Sequence, residues 1–238
     1  MAKLVQKSGY IKSGKASGYM RYIATREGVE KLAGNGAVTK GQRELIQKLL
    51  TDFPDAVELF EYEDYCKTPT LGTASAFISM ALDANFHEMD SESGYMQYIA
   101  TRPRVQKRGG HGLFSSATAV DLTSAMSELE AHEGNVWTII YSMRREDAVR
   151  LEYDNADAWR TLLMENAPTL AKSMKISLDN FHWYAAFHDE GHHPHIHMMV
   201  WSDDPKEGFL TKNGIAAMRS KLTNAIFRDE MQQIYERK

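Results

Sequence analysis

The most informative segment of this 238-residue chain, which holds five of its nine histidines, reads Phe187-His188-Asp189-Glu190-Gly191-His192-His193-Pro194-His195-Ile196-His197. Apolar residues flank it on both sides, as the aromatic-rich run 183–187 and the run Met198-Met199-Val200-Trp201. Both runs predict β-strands, and the polar middle, with its glycine and proline, predicts the turn between them. The sequence therefore predicts a β-hairpin that carries histidines at its closed end.

Three histidines of this hairpin are expected to converge. Side chains two residues apart in a strand point to the same face, so His195 and His197 project together. His188 ends the incoming strand and faces them across the hairpin. Three imidazoles suit a divalent metal and leave coordination positions open for water or substrate. We therefore predict a metal site of His188, His195 and His197, and we expect His192 and His193 to be exposed turn residues or ligand contacts.

The bulk composition is that of an ordinary globular protein, with 43% hydrophobic and 25% charged residues. The single cysteine, Cys66, excludes an internal disulfide and fits a reducing cytosol, so we expect a cytoplasmic location. No apolar run approaches the roughly 18 residues that a membrane span needs. No signal-peptide region follows Met1.

Charge is distributed unevenly along the chain, although the net charge is only −4. Residues 1–50 hold ten Lys or Arg against three Glu, whereas residues 51–100 hold one Lys against ten acidic residues. A polyanion would meet a local basic surface in the first of these regions. The alternative is a solvated basic face without a partner, which charge alone does not exclude.

A ten-residue segment occurs twice. The segment from Ser17 to Arg26 returns from Ser93 to Arg102, 76 residues later, with nine of ten positions identical. Two copies are too few for a solenoid, which needs at least three. Pro103 follows the second copy and is expected to end its helix early.

The periodicity predicts an α/β fold in the broad (α+β) sense: a mainly antiparallel sheet of about five strands, helices on its faces, and an acidic helical insertion at roughly residues 40–130. The central strands are expected at 3–7, 136–142, 181–188 and 195–202. Helices are expected at 19–31, from Thr39 to about Leu50, near 73–85, and at 124–132, 147–150, 155–167 and 211–235. We expect the chain to be the N-terminal part of a longer protein.

The predicted metal site also needs a nucleophile. A metal held by three neutral imidazoles keeps most of its charge and would bind a phosphate oxygen well. Tyr19 and Tyr22 lie one helical turn apart among basic residues, and they offer an alternative to an activated water. A phenol has a pKa of about 10, so it needs nearby positive charge to attack near neutrality. An aromatic stripe at this spacing is also typical of a helix that packs into a core.

The chain resembles the HUH-type relaxases of conjugative and mobilisable plasmids, most closely the MobL/MobP-type enzymes of Gram-positive elements. The segments that carry the resemblance are Tyr22–Val29, His111–Phe114, Arg144–Ala148 and Trp183–His197. The resemblance implies an HUH-endonuclease fold over residues 1–238. It places His195-Ile196-His197 at the His-hydrophobic-His pair, His188 at the third ligand position, and Tyr22 at the nucleophile. Tyr19 is the second candidate for that role.

The resemblance implies strand-specific nicking and rejoining of single-stranded DNA at a plasmid origin of transfer, through a 5′-phosphotyrosyl link. The expected ion is Mn²⁺ or Mg²⁺, with Zn²⁺ or Ni²⁺ as alternatives. We expect a monomeric domain that works with accessory relaxosome and coupling proteins. The candidates for phosphate contacts are basic residues from the two repeat regions and the loop before the first, namely Lys12, Lys15, Arg21, Arg26, Arg102 and Arg104.

Two other interpretations stay open at this point. A rolling-circle replication initiator has the same metal hairpin but a later tyrosine, and Tyr235 near the end of the chain fits that pattern. The second is a non-catalytic DNA-binding module in which the histidines hold a structural metal. Structural sites normally have four protein ligands, and His192 or His193 would have to supply the fourth.

Overall fold

This computed structural model describes residues 3–10, 35–85, 92–101, 105–107, 110–189 and 193–228. The chain divides into two compact units. One unit consists of Met1–Ile11 with Glu92–Lys238, and the other consists of Lys12–Ser91. The described part contains no helix that combines the length and apolar character needed to cross a membrane.

A five-stranded sheet forms the centre of the first unit. Its strands are β1 (Val5–Tyr10), β2 (Leu113–Phe114), β3 (Trp137–Ser142), β4 (Phe181–His188) and β5 (His195–Ser202). Their order across the sheet is β1-β3-β5-β4-β2, and all neighbouring pairs are antiparallel. The expected fold class is therefore confirmed. The central position expected for the first strand is wrong, because among the described strands β1 pairs with β3 alone and occupies the edge of the sheet.

The histidine hairpin forms as predicted. β4 and β5 pair along their whole length, from Phe181 opposite Ser202 to His188 opposite His195. The two-residue repeat of a strand gives the hairpin two distinct faces. One face carries Trp183 and Phe187, and the other carries the three predicted metal ligands.

The first face packs on two helices, α7 (Ala156–Ser173) and α8 (Lys212–Ile226). Trp159 of α7 and Met218 of α8 are both fully buried in this core, together with Ile139 and Ile196 of the sheet. Burying each large apolar side chain contributes roughly 1.5–3 kcal/mol. These two helices therefore cover the face of the hairpin that carries Trp183 and Phe187, and other elements contact the face that carries the histidines.

The two helices begin where the sequence predicts but end elsewhere. Asn155 and Thr211 cap their first turns with side-chain oxygens. The end predicted for α7 at residue 167 is wrong, because the helix continues through Pro168. An internal proline costs about 3 kcal/mol, and the buried residues Leu170 and Ala171 beyond it offset that cost. α8 ends at Ile226, short of the predicted residue 235.

Two helices lie on the histidine side of the sheet, α4 (Glu92–Thr101) and α5 (Leu122–Glu130). The Tyr184 hydroxyl of β4 donates a 2.9 Å hydrogen bond to Glu128 of α5. Backbone atoms of α4 reach the closed end of the hairpin, as described below. A short helix, α6 (Arg145–Arg150), follows β3. The described part of α4 ends at Thr101, and Pro103, which was expected to end this helix, lies outside the described residues.

The second unit is helical in its described part. It contains α1 (Lys40–Asp52), α2 (Phe60–Lys67) and α3 (Leu71–Asn85), with a 3₁₀ turn at Pro54–Glu58. Thr39 and Gln42 form a capping box at the start of α1, which confirms the predicted helix start. The Gln42 side chain also donates to the Leu71 carbonyl and the Ser75 hydroxyl, which ties α1 to α3. The sequence did not predict α2. The bounds of the predicted insertion, roughly residues 40–130, remain a prediction.

Candidate metal centre

The three histidines predicted as ligands occupy neighbouring positions on one face of the hairpin. His188 and His195 are direct cross-strand partners, and Ala186 is the partner of His197. Because the side chain of Ala186 is small, it leaves room on this face of the sheet for the surrounding imidazole rings. All three histidines are fully buried. The hairpin therefore holds the rings together through strand register rather than through a flexible loop.

The distances are those of a potential metal site. One ligand nitrogen from each ring can be chosen so that all three lie within 4.8 Å of one another. The ring centroids of His188 lie 5.2 Å from those of His195 and 4.6 Å from those of His197, and the last two are 5.0 Å apart. Among the described residues, this is the one group of three or more potential ligands that converges in this way.

Two backbone carbonyls indicate the tautomers of two of the three histidines. The Nε2 atom of His188 lies 2.9 Å from the Ile99 carbonyl, and Nδ1 of His195 lies 3.0 Å from the His193 carbonyl. A carbonyl only accepts hydrogen bonds, so each of these ring nitrogens must carry the proton. In a neutral imidazole the other nitrogen then carries the lone pair. Nδ1 of His188 and Nε2 of His195 are therefore the atoms that could bind a metal, and metal-binding histidines commonly have this arrangement.

The second copy of the duplicated segment supplies one of these carbonyls. Ile99 lies in α4, which forms from that copy. The chain beyond it also holds the hairpin, because Val105 forms a β-bridge with His188 and the Gln106 amide donates to the Phe187 carbonyl at 2.9 Å. Gly112 then returns to α4 and donates to the Ala100 carbonyl at 2.8 Å. The second copy therefore orients a ligand ring through its backbone.

The donor set fits a divalent ion. It consists of three imidazoles, which in their neutral form are common metal ligands. Such a ligand also needs a hydrogen-bond partner for its other nitrogen, and the Ile99 carbonyl provides one for His188 and the His193 carbonyl one for His195. His193 was expected to be an exposed turn residue or a ligand contact. It is 5% exposed, so it is not an exposed turn residue, and its ring does not join the convergent group. Within the described residues the group therefore has three members, which is the number typical of a site with an open position. His192 lies outside the described residues.

Two residues that the sequence did not single out lie beside this cluster on the same face. Ser142 of β3 is the direct partner of His195. Lys7 of β1 is the partner of Ile140, which in turn pairs with His197. Lys7 is only 7% exposed, and two strand spacings place its Cα roughly 10 Å from that of His197. The sequence shows that Lys7, two residues after Val5, lies on the same face of the strand as Val5. Which residues of other strands lie next to Lys7 depends on the strand order.

Several described tyrosines are poorly suited to act as nucleophiles. Burial, followed by the hydrogen bond to Glu128, raises the pKa of Tyr184 to about 12. Burial also raises the pKa of Tyr141, which faces the opposite, helix-covered side of the sheet. The hydrogen bond with Cys66 raises the pKa of Tyr62. These groups remain neutral phenols near neutrality, so a tyrosine nucleophile has to come from elsewhere in the chain.

The remaining predicted site residues lie outside the described residues. They are the two candidate nucleophiles, the six candidate DNA contacts and the alternative nucleophile, namely Tyr19, Tyr22, Lys12, Lys15, Arg21, Arg26, Arg102, Arg104 and Tyr235. Tyr95 and Tyr98 belong to α4, but their side chains are not described. The roles of all these residues stay predictions.

Comparison with known proteins gives one result. The family model described as MobL relaxases matches residues 1–238, which is the whole chain. No curated protein and no solved structure matches it.

Proposed function

The chain belongs to the MobL relaxase family, and from that membership we propose that a tyrosine and a metal-binding histidine cluster together carry out its reaction. Membership implies DNA nicking for conjugative mobilization, so the chain is a DNA-binding enzyme. The observation that supports the proposed chemistry is the convergence of three buried imidazoles on one face of the hairpin.

We assign the metal to His188, His195 and His197. When bound there, the ion would act as a Lewis acid on a non-bridging oxygen of the scissile phosphate. The donor set bears on the choice of ion, because imidazole ligands suit Zn²⁺ and Ni²⁺, whereas Mn²⁺ and Mg²⁺ prefer oxygen ligands. Mn²⁺ and Mg²⁺ would therefore rely more on water and phosphate oxygens to complete their coordination. All four ions belong in the experiment.

We assign the nucleophile to Tyr22, with Tyr19 as the second candidate. The phenol oxygen forms a bond to phosphorus, and the bond from phosphorus to the 3′ oxygen breaks. The phenol loses its proton and the departing 3′ oxygen gains one, which leaves a 5′-phosphotyrosyl link and a free 3′ hydroxyl. The same step in reverse rejoins the strand. The ten Lys and Arg among residues 1–50 support this assignment, because positive charge favours the phenolate.

The substrate proposed is single-stranded DNA at an origin of transfer. The basic residues Lys12, Lys15, Arg21, Arg26, Arg102 and Arg104 would neutralise its phosphates. We further propose that residues 1–238 act as a monomeric nicking domain in the cytoplasm, together with accessory relaxosome and coupling proteins. The family match over the whole chain supports a single nicking domain. The second compact unit, which is helical in its described part, supports the helical insertion proposed within that domain.

The test is cleavage of labelled single-stranded oligonucleotides from the origin of transfer of the element that encodes the chain. Wild type is compared with Tyr22→Phe, Tyr19→Phe and Tyr235→Phe in the presence of Mn²⁺, Mg²⁺, Zn²⁺ or Ni²⁺. Tyr98→Phe is the matched control, because Tyr98 occupies the position of Tyr22 in the second copy. The readouts on a denaturing gel are the cut strand and the covalent protein–DNA band.

We expect Tyr22→Phe to lose both bands, and Tyr98→Phe to keep them. Loss in Tyr19→Phe instead would move the nucleophile by one helical turn. Loss in Tyr235→Phe alone would indicate an initiator-type nuclease and contradict the assignment. A wild type that binds the DNA but does not cut it with any of the ions would favour a structural metal and contradict the proposed chemistry.

A further inference from the structure

Ser142 is a buried polar residue that the proposed mechanism does not yet use. It ends β3 and is 1% exposed. Its Oγ atom has no hydrogen-bond partner within the described ranges. Buried side-chain hydroxyls almost always have a partner, because burial without one costs free energy. A buried hydroxyl without a hydrogen-bond partner therefore indicates that a bound ligand supplies the partner.

Strand register places this hydroxyl beside the imidazole cluster. Ser142 is the direct cross-strand partner of His195 on one side and of Val5 on the other. Direct partners lie on the same face of the sheet, with Cβ atoms about 4.5–5.5 Å apart. The Ser142 side chain therefore faces the same space as the His195 ring. Val5 is apolar, so it offers the hydroxyl no hydrogen bond.

The reaction brings a suitable partner to this space. A phosphodiester has two non-bridging oxygens, which accept hydrogen bonds and do not donate them. If one oxygen is held at the three histidines, the other oxygens of the phosphate extend over their neighbours on the sheet face. Ser142 and Ile140 are the β3 partners of His195 and His197, and of these two only Ser142 has a side-chain donor.

We propose that the Ser142 hydroxyl donates a hydrogen bond to a non-bridging oxygen of the scissile phosphate. This inference rests on the proposed function, since it requires a phosphate at the histidine cluster. Ser142 would then be a catalytic residue that contacts the substrate but is not a metal ligand. A hydrogen bond to a charged acceptor changes an equilibrium or a rate by about tenfold to a hundredfold, and this sets the expected effect of its removal.

The variants are Ser142→Ala, which removes the hydroxyl, and Ser142→Cys, which keeps a weak donor of similar size. Thr138→Val is the matched control. Thr138 lies on the same strand and the same face, four residues away, and is 3% exposed. The Thr138→Val substitution removes a buried hydroxyl that is not the cross-strand partner of His195. Thermal melting of each variant establishes that it is folded.

The first readout does not depend on cleavage. Co²⁺-bound protein is titrated with inorganic phosphate, and the visible spectrum of the metal reports both Co²⁺ binding and phosphate binding. We expect all variants to bind Co²⁺ within about threefold of wild type, because Ser142 is not a ligand. Ser142→Ala should need about tenfold more phosphate or higher, Ser142→Cys an intermediate amount, and Thr138→Val the wild-type amount.

The second readout is the single-turnover rate of cleavage of the origin oligonucleotide. Ser142→Ala is expected to be slower than wild type by about tenfold to a hundredfold. Oligonucleotides with one non-bridging oxygen replaced by sulfur refine the test, since sulfur accepts hydrogen bonds weakly. One of the two diastereomers should slow wild type more than it slows Ser142→Ala, because that variant has already lost the hydrogen bond.

Equal phosphate titrations and equal cleavage rates for wild type and a folded Ser142→Ala would overturn the role of Ser142 and leave the nicking function standing. An equal loss in Thr138→Val would also overturn it, because the effect would then be one of packing. A wild type that cuts no origin DNA with any ion would instead remove the proposed function, and the inference with it. The wild-type reaction thus distinguishes the two failures.

Discussion

Substitution of His188 by alanine is expected to abolish most of the thermal stabilisation that a metal gives. An ion that binds only the folded state at about 100 times its Kd stabilises it by about 2.7 kcal/mol. For a chain of this size each kcal/mol raises Tm by about 2–4 °C, so wild type should gain about 5–11 °C. The cluster lies within one unit of the chain, and the transition of that unit is the one expected to move.

Loss of one of three ligands should weaken binding by at least a hundredfold, since even the partners of metal ligands are worth about tenfold to a hundredfold. At the same metal concentration the remaining stabilisation is then about 0.4 kcal/mol, or about 1–2 °C. His182→Ala is the matched control. His182 lies on the same strand and the same face as His188, but its ring is hydrogen-bonded to Asp203 at 2.7 Å and lies outside the cluster.

The assay is differential scanning calorimetry of wild type and both variants, without metal and with Mn²⁺ or Zn²⁺. The metal-induced shift is compared rather than the absolute Tm, because His188 is fully buried and its loss also disturbs packing. The reasoning is refuted if His188→Ala keeps the full shift. It is equally refuted if His182→Ala loses as much of the shift as His188→Ala does.

Three further predictions concern other parts of the structure. Hydrogen bonds from serine side chains lower the pKa of Glu207 from its ordinary 4.5 to about 2, so its stabilising effect is full above pH 4.5 and disappears as the pH falls through 2. Acid unfolding curves of wild type and Glu207→Gln should therefore differ above pH 4.5 and converge towards pH 2. Gly214→Ala should destabilise the protein by about 1–3 kcal/mol in urea unfolding, because its Cβ would clash with the Ser173 backbone carbonyl at the end of α7. Gly41→Ala should be neutral or stabilising, because its Cβ would meet no atom within 4 Å apart from those of its own helix and chain neighbours. Tyr184, with its pKa raised to about 12, should ionise later than an ordinary phenol with a pKa of about 10 in an alkaline ultraviolet titration, and Tyr184→Phe should remove one late step and leave the rest of the curve unchanged.

Local patterns were sufficient to predict the hairpin and its three histidines. Alternation of side chains along a strand is a property of the backbone itself, so the shared face of His195 and His197 follows from their spacing alone. The glycine and proline between the two apolar runs mark the turn, and this turn brings His188 opposite His195. The same kind of local signal predicted helix starts at Thr39, Asn155 and Thr211, and in the structure each of these residues caps the first turn of its helix.

Local patterns failed where distant parts of the chain compete. The helix end predicted at residue 167 is wrong, because the helix continues through Pro168 and burial of Leu170 and Ala171 outweighs the cost of the proline. The first strand was expected at the centre of the sheet and lies at its edge. Both outcomes depend on contacts with distant parts of the chain. The sequence next to each wrong prediction therefore does not contain the information that decides it.

The sequence by itself determined which three histidines converge, because strand parity and a turn are encoded within eleven consecutive positions. Only the tertiary structure decided what surrounds them. Strand order places Ser142 beside His195 and Lys7 on the same face, and the packing of α4 brings the Ile99 carbonyl to His188. These contacts join residues separated by tens of positions, and long-range pairing arises from burial and strand order that no short window of sequence specifies.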